Sequence, residues 1–114
     1  MLYKTTQQDD ITIVKVLEQD VVSRKAIEFR DYINKVFSEG SKKIVIDFTH
    51  SHFMDSTFLG MLVSLLKKIT TSEGKLKLVL TQNSDIPIWM MFKMTNMLKV
   101  FDVYSTIEEA IESF

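Results

Sequence analysis

Apolar and polar residues alternate along this chain in two rhythms, one of period two and one of period near 3.6. The run Ile11-Thr12-Ile13-Val14-Lys15-Val16-Leu17 is dense in β-branched residues and predicts a strand. Residues 2–8 predict a weaker edge strand, joined to it through a turn at Asp9-Asp10. From Ser23, expected as N-cap, the helical period takes over. Ala26, Phe29, Ile33, Val36 and Phe37 share one face, and Gly40 stops the helix. A buried strand follows at Ile44–Phe48, then a helix through Gly60–Ile69, then a strand at Lys75–Leu80. Ser84 or Asp85 is expected to cap a third helix, with Pro87 in its first turn. Val100–Tyr104 predicts a last strand, and Ser105 with Glu108 fits a capping box for a terminal helix. Strands and helices alternate after the first pair. The expectation is one α/β domain over residues 1–114, a mixed β-sheet packed with about four helices.

The helix after Ile44–Phe48 carries the pattern that bears on function. Phe58, Leu59, Met61, Leu62, Val63, Leu65, Leu66 and Ile69 fall in one apolar arc. Ser56, Gly60, Ser64, Lys67 and Thr71 fall in the complementary arc, which should face water. Ser56 stands at the mouth of this helix, where a serine has two possible jobs. It can cap the helix, or it can present a hydroxyl for modification, since a helix N-terminus tolerates an added phosphate. Gly60 sits one turn later and weakens the helix by about 1 kcal/mol relative to alanine. It suits either close packing inside the domain or a docking point where another backbone approaches. Gly40 and Gly74 lie where helices should end and are expected at C-caps.

Composition narrows the chemistry. Of 114 residues, 46% are hydrophobic, enough for a core and too many for disorder. The net charge of −1 comes with no basic run, which argues against nucleic-acid binding. The absence of cysteine excludes disulfides and cysteine-ligated metal. No apolar segment approaches spanning length, so direct membrane insertion is not expected, and the expected location is cytoplasmic. His50 and His52 are the only histidines, and two are too few for a metal site, which wants three or four converging ligands. Ser56 lacks a Gly-x-Ser-x-Gly elbow, with Met54 and Phe58 in the glycine places. The glycines are too few and too scattered for a phosphate loop. A phosphoacceptor receiver fold would need an acidic pair after its first strand, whereas Asp9-Asp10 precedes Ile11. No cofactor and no catalytic residue is expected.

Asp47-Phe48-Thr49, then Phe53-Met54-Asp55-Ser56-Thr57, then Leu59-Gly60, resembles the signature of the STAS domain of bacterial anti-sigma factor antagonists. The resemblance extends through Leu98–Phe101 to Thr106–Ala110. It implies the STAS fold and a protein-binding module rather than an enzyme. It implies that Ser56 is phosphorylated by an anti-sigma factor with serine kinase activity, and that a serine phosphatase reverses this. The unphosphorylated form would sequester the kinase, through a face built from Asp55, Ser56, Thr57, Phe58 and Gly60. Two positions depart from the family: Phe58 stands where glycine is usual, and Ser51 where an apolar residue is usual. An alternative within the same resemblance is a STAS subunit of a stress-signalling scaffold or a cytoplasmic accessory of a lipid transporter.

One further stretch stands out. Ile86–Met94 is apolar on nearly every side, and methionine with aromatics on a short helix often forms an adaptable surface. Trp89, Met90 and Phe92 are the candidates for a second interface, the alternative being burial under neighbouring loops.

Overall fold

The computed structural model describes all 114 residues. In chain order the elements are β1 (Tyr3–Gln8), β2 (Ile11–Val16), β3 (Asp20–Val21), α1 (Ser23–Ser38), β4 (Lys43–Asp47), β5 (Phe53–Met54), α2 (Ser56–Thr71), β6 (Lys75–Val79), α3 (Pro87–Met94), a 3₁₀ turn (Met97–Lys99), β7 (Asp102–Tyr104) and α4 (Ile107–Glu112). Five strands form one mixed sheet in the order β1-β2-β4-β6-β7. Only β1 runs antiparallel to its neighbour; the other pairings are parallel. Each parallel step therefore needs a crossover. Because the order advances in one direction, crossovers of one hand put α1, α2 and α3 on the same face.

The period-two pattern of the strands fits that arrangement. Val14, Val16, Ile44, Ile46, Leu76 and Leu78 face the three helices in the main core. Ile11, Ile13, Val45 and Val79 face the other way, onto Ala110 of α4 and the half-buried Tyr104, Ile107, Ile111 and Phe114. Lys77 shares that second face and is buried there. Its Nζ lies 4.9 Å from the Phe114 ring centroid and 3.8 Å from Asp102, so the charge is kept partnered.

Several ends differ from the sequence expectation. The helix α1 closes as expected, with Gly40 at φ +105° and its N–H bound to the Phe37 carbonyl, while Ser41 bonds back to Val36. At the end of α2 it is Glu73, at φ +65°, that takes the left-handed position. Gly74 is required for space instead: a Cβ there would lie 2.6 Å from Phe37 Cε1 and 2.8 Å from Ile69 Cγ2. The first turn of α3 has no side-chain cap from Ser84 or Asp85; Ile86 holds the cap position, Pro87 removes one donor, and Ile88 N–H bonds to the His52 carbonyl. The box at α4 sits one residue later than expected, with Thr106 Oγ1 accepting from Glu109 N–H at 3.1 Å. The last strand loses Val100 and Phe101 because the preceding residues close a 3₁₀ turn.

The two remaining glycines make opposite predictions. Gly74→Ala should destabilise the domain by about 1–3 kcal/mol through overpacking. Gly60→Ala, with nothing within 4 Å of the added carbon, should stabilise it by about 1 kcal/mol through helix propensity. Urea unfolding of the two variants checks both signs.

Candidate functional site

The site begins where β4 ends. Asp47 is buried, and its carboxylate accepts the Thr49 N–H at 2.9 Å, turning the chain out of the sheet. The returning segment is then laced to the stretch before α1. Ser51 is buried and its hydroxyl donates to the Glu18 carbonyl. The N–H groups of His52 and Phe53 share the Gln19 carbonyl, and Asp55 N–H bonds to Val21. These bonds produce the two-residue pairing of β3 with β5, Asp20 opposite Phe53 and Val21 opposite Met54. Neither strand has a sequence pattern long enough to see.

Asp55 completes the junction. Its Oδ1 accepts the Phe58 N–H at 2.9 Å, capping α2, and its Oδ2 accepts the Ser23 N–H at 2.7 Å, at the first turn of α1. One carboxylate thus serves two helices of 16 residues each. The expectations for both caps are corrected accordingly. Ser23 is the first helical residue and Val22, in the cap position, has no side-chain oxygen to offer. Ser56 is likewise the first residue inside α2, because Asp55 is the better-placed acceptor.

That leaves the Ser56 hydroxyl without a structural role. Ser56, Thr57 and Gly60 are exposed, and no hydrogen bond within the chain engages the Ser56 side chain. Asp55 is half-buried with both oxygens committed to backbone donors, so it is not free to act as a base toward Ser56. The space above Gly60 is open, so internal packing does not require its lack of a side chain. His50 and His52 are exposed, and no three side chains of His, Cys, Asp or Glu come together as a metal site would require.

Phe58 does not lie on this surface. Its ring is fully buried, stacked on Phe29 at 5.7 Å between centroids and edge-on to Phe48 at 6.2 Å. The expectation that it borders a partner face is corrected: the third residue of α2 points down into the core while Ser56 and Thr57 stay outside. Phe92 is corrected in the same way, being fully buried against Phe101 at 5.8 Å. Trp89 and Met90 are half-buried.

Beside the Ser56 face runs a shallow groove of about 220 Å³ between α1 and α2. Ala26, Ile27 and Arg30 line it from α1, and Thr57, Met61 and Ser64 from α2. Ile27 and Arg30 were not singled out from sequence, because nothing local ties α1 to Ser56. One signal was available: Ile27 falls outside the apolar arc of α1, and it is 63% exposed. An isoleucine in that position calls for something to cover it.

The Asp55 bridge makes a graded prediction. Asp55→Ala removes two charge-assisted bonds and should lower stability by about 2–3 kcal/mol. Asp55→Asn keeps one acceptor oxygen and should lose about half as much. Ser56→Ala should stay within about 0.5 kcal/mol of wild type, since the hydroxyl caps nothing. Phe58→Gly should lose at least about 3–5 kcal/mol, from the core. Chemical denaturation of the four variants orders them.

The model of the STAS domain family matches residues 3–110 of this chain. A Thermotoga maritima protein provisionally named an anti-sigma factor antagonist is 31% identical over 84 residues, 74% of this chain and 68% of that protein. A crystal structure of a Thermotoga maritima protein of the same provisional name superposes with a TM-score of 0.83 at 26% identity, covering 97% of this chain and 92% of the other. The Bacillus cell fate determinant SpoIIAA in its phosphorylated form superposes with a TM-score of 0.69 at 16% identity, covering 98% of each chain, a likeness of fold. A signature loop stitched to the first helix, a five-stranded mixed sheet and a family match over nearly the whole length agree: this chain belongs to the STAS domain family.

Proposed function

We propose that this chain is an anti-sigma factor antagonist that binds its partner through the Ser56–Gly60 face and the adjoining groove. In this reading phosphorylation of Ser56 switches the binding off. The observation that carries it is the free Ser56 hydroxyl: exposed, unbonded, and set at the start of α2 by a neighbour that does the capping in its place. The names of the relatives support the antagonist role.

The chemistry assigned to this chain is small. Ser56 Oγ attacks the terminal phosphorus of ATP held by a partner kinase, the bond to ADP breaks, and the serine proton leaves to a base on the partner. The partner supplies that base because both Asp55 oxygens are occupied. A separate serine phosphatase hydrolyses the ester and resets the domain. The phosphate brings a charge of about −1.5 to −2 at neutral pH, which the α2 N-terminus tolerates. For the partner the same charge, added beside Asp55, means like-charge repulsion and lost fit across a face that Gly60 keeps flat. The scaffold and transporter-accessory alternative rests on apolar surface at Phe58 and along α3; the burial of Phe58 removes the first of these and leaves the second.

Affinity capture from the native cell, with peptide mapping of the bound fraction, tests the reading. The expected partner carries kinase activity and labels Ser56. Ser56→Ala should bind as wild type, and Ser56→Asp should bind about ten-fold or more weakly. Equal affinities for the two variants, or labelling of Thr57 at the wild-type rate in Ser56→Ala, would overturn it. Ser51 is not a rival acceptor, since its hydroxyl is buried on the Glu18 carbonyl.

A further inference from the structure

The helix α3 is apolar round almost its whole circumference, with Lys93 its one charged residue. A helix of that kind belongs inside a core. Only Ile88 and Phe92 are buried, however. Pro87, Met90 and Met94 fall three and four residues apart, on one side of the helix. Pro87 and Met94 are exposed and Met90 half-buried. Beyond the helix, Leu98 and Val100 are also exposed, and Met94 is 76% exposed. Three of the six large exposed apolar residues therefore fall within residues 94–100, too concentrated for ordinary surface scatter.

Charge narrows what could cover this surface. Between Ile86 and Phe101 the only charged residues are Lys93 and Lys99, both exposed; Asp85 and Asp102 lie just outside the two ends. A second copy related by a two-fold axis would bring these lysines toward their own equivalents, with no carboxylate inside the segment to pair them. Shape narrows it again. A protein that lays a helix onto another needs a groove. The concave feature of this molecule lies between α1 and α2, whereas here the side chains stand out from a helix end and a 3₁₀ turn. A convex apolar tip framed by cations fits a surface that deforms around it and is itself anionic.

We propose that Met94, Leu98 and Val100, framed by Lys93 and Lys99, adsorb to an anionic lipid surface. The apolar tips enter the boundary between headgroups and acyl chains, and the lysine stems lie along it with their ammonium groups on lipid phosphates. The attachment is peripheral and reversible, since no helix is long and apolar enough to cross a membrane. It is independent of the role given to Ser56.

Vesicle flotation tests it with two lipid compositions, phosphatidylcholine alone and phosphatidylcholine with phosphatidylglycerol in equal parts. Binding should be about thirty-fold stronger to the anionic vesicles, the weight of two lysines at such a surface, and should fall as salt rises. Met94→Glu and the double change Lys93→Gln, Lys99→Gln should each lose about ten-fold or more, with unchanged thermal melts. Ile27→Glu, in the α1/α2 groove, should bind vesicles as wild type. No flotation with either composition overturns the proposal and returns the surface to a protein partner. Equal binding to both compositions, or wild-type binding by Met94→Glu, overturns it too. So does a dimer in the absence of lipid that Met94→Glu dissolves, which would assign the face to a second copy.

Discussion

Two backbone N–H groups, Ser23 and Phe58 in the first turns of α1 and α2, converge on one carboxylate. Each helix start carries unsatisfied donors and about half a positive charge. Bringing two such ends together without an acceptor would be unfavourable both as lost hydrogen bonding and as like-sign repulsion. Asp55 meets both demands with a single negative group. The rest of the site depends on this. Ser56 can be spared from capping, the short β3–β5 pairing can hold its register, and α1 and α2 can lie close enough to form a groove.

The same bridge bears on a charge added to Ser56. A phosphate there would enter a field already shaped by two helix termini and one carboxylate. The termini favour it, and Asp55 opposes it. Within the domain these partly cancel, which leaves no reason for the fold to rearrange. Against a partner they do not cancel, because the partner sees the added charge and the bulk directly. The aromatic packing beneath reinforces the point. Phe58 is held by Phe29 and Phe48, so the first turn of α2 is anchored two residues beyond Ser56. A switch built on such a site acts through its surface.

The α/β order, the long elements and the exposed arc of α2 were legible in the sequence, because burial repeats there over many residues. Ser56, Gly60, Ser64, Lys67 and Thr71 are all exposed, as the helical period requires. The helix ends were not legible to the residue. Ser23 and Ser56 each looked like caps because serine often is one, but the acceptor that serves both helices comes from a single aspartate across a tertiary contact. No window of sequence contains Ser23 and Asp55 together. Phe58 was misplaced for a related reason: a residue at the edge of a projected arc is decided by what lies below it, here Phe29 and Phe48. Ile27 shows in the sequence only as an isoleucine off the apolar arc of α1, and its groove with Arg30 exists only once α1 and α2 lie side by side.

The two exposed surfaces differ in kind, and the topology explains why. Between α1 and α2, two long helices packed side by side on the sheet leave a valley, and its walls mix apolar side chains with hydroxyls and Arg30. The crossover carrying α3 is short. Eight residues of helix cannot shield a second helix face, and the chain must turn tightly through Met97–Lys99 to reach the β7 edge of the sheet. Met97 packs against the core there, while Leu98 and the flanking Met94 and Val100 are left exposed. A valley selects a partner with a matching ridge, while a protrusion selects something that yields. The fold therefore presents one shallow groove beside Ser56 and one exposed apolar tip at Met94–Val100. The tip lies on the crossover that leads to the sheet's edge, and the groove is formed by the two helices before it.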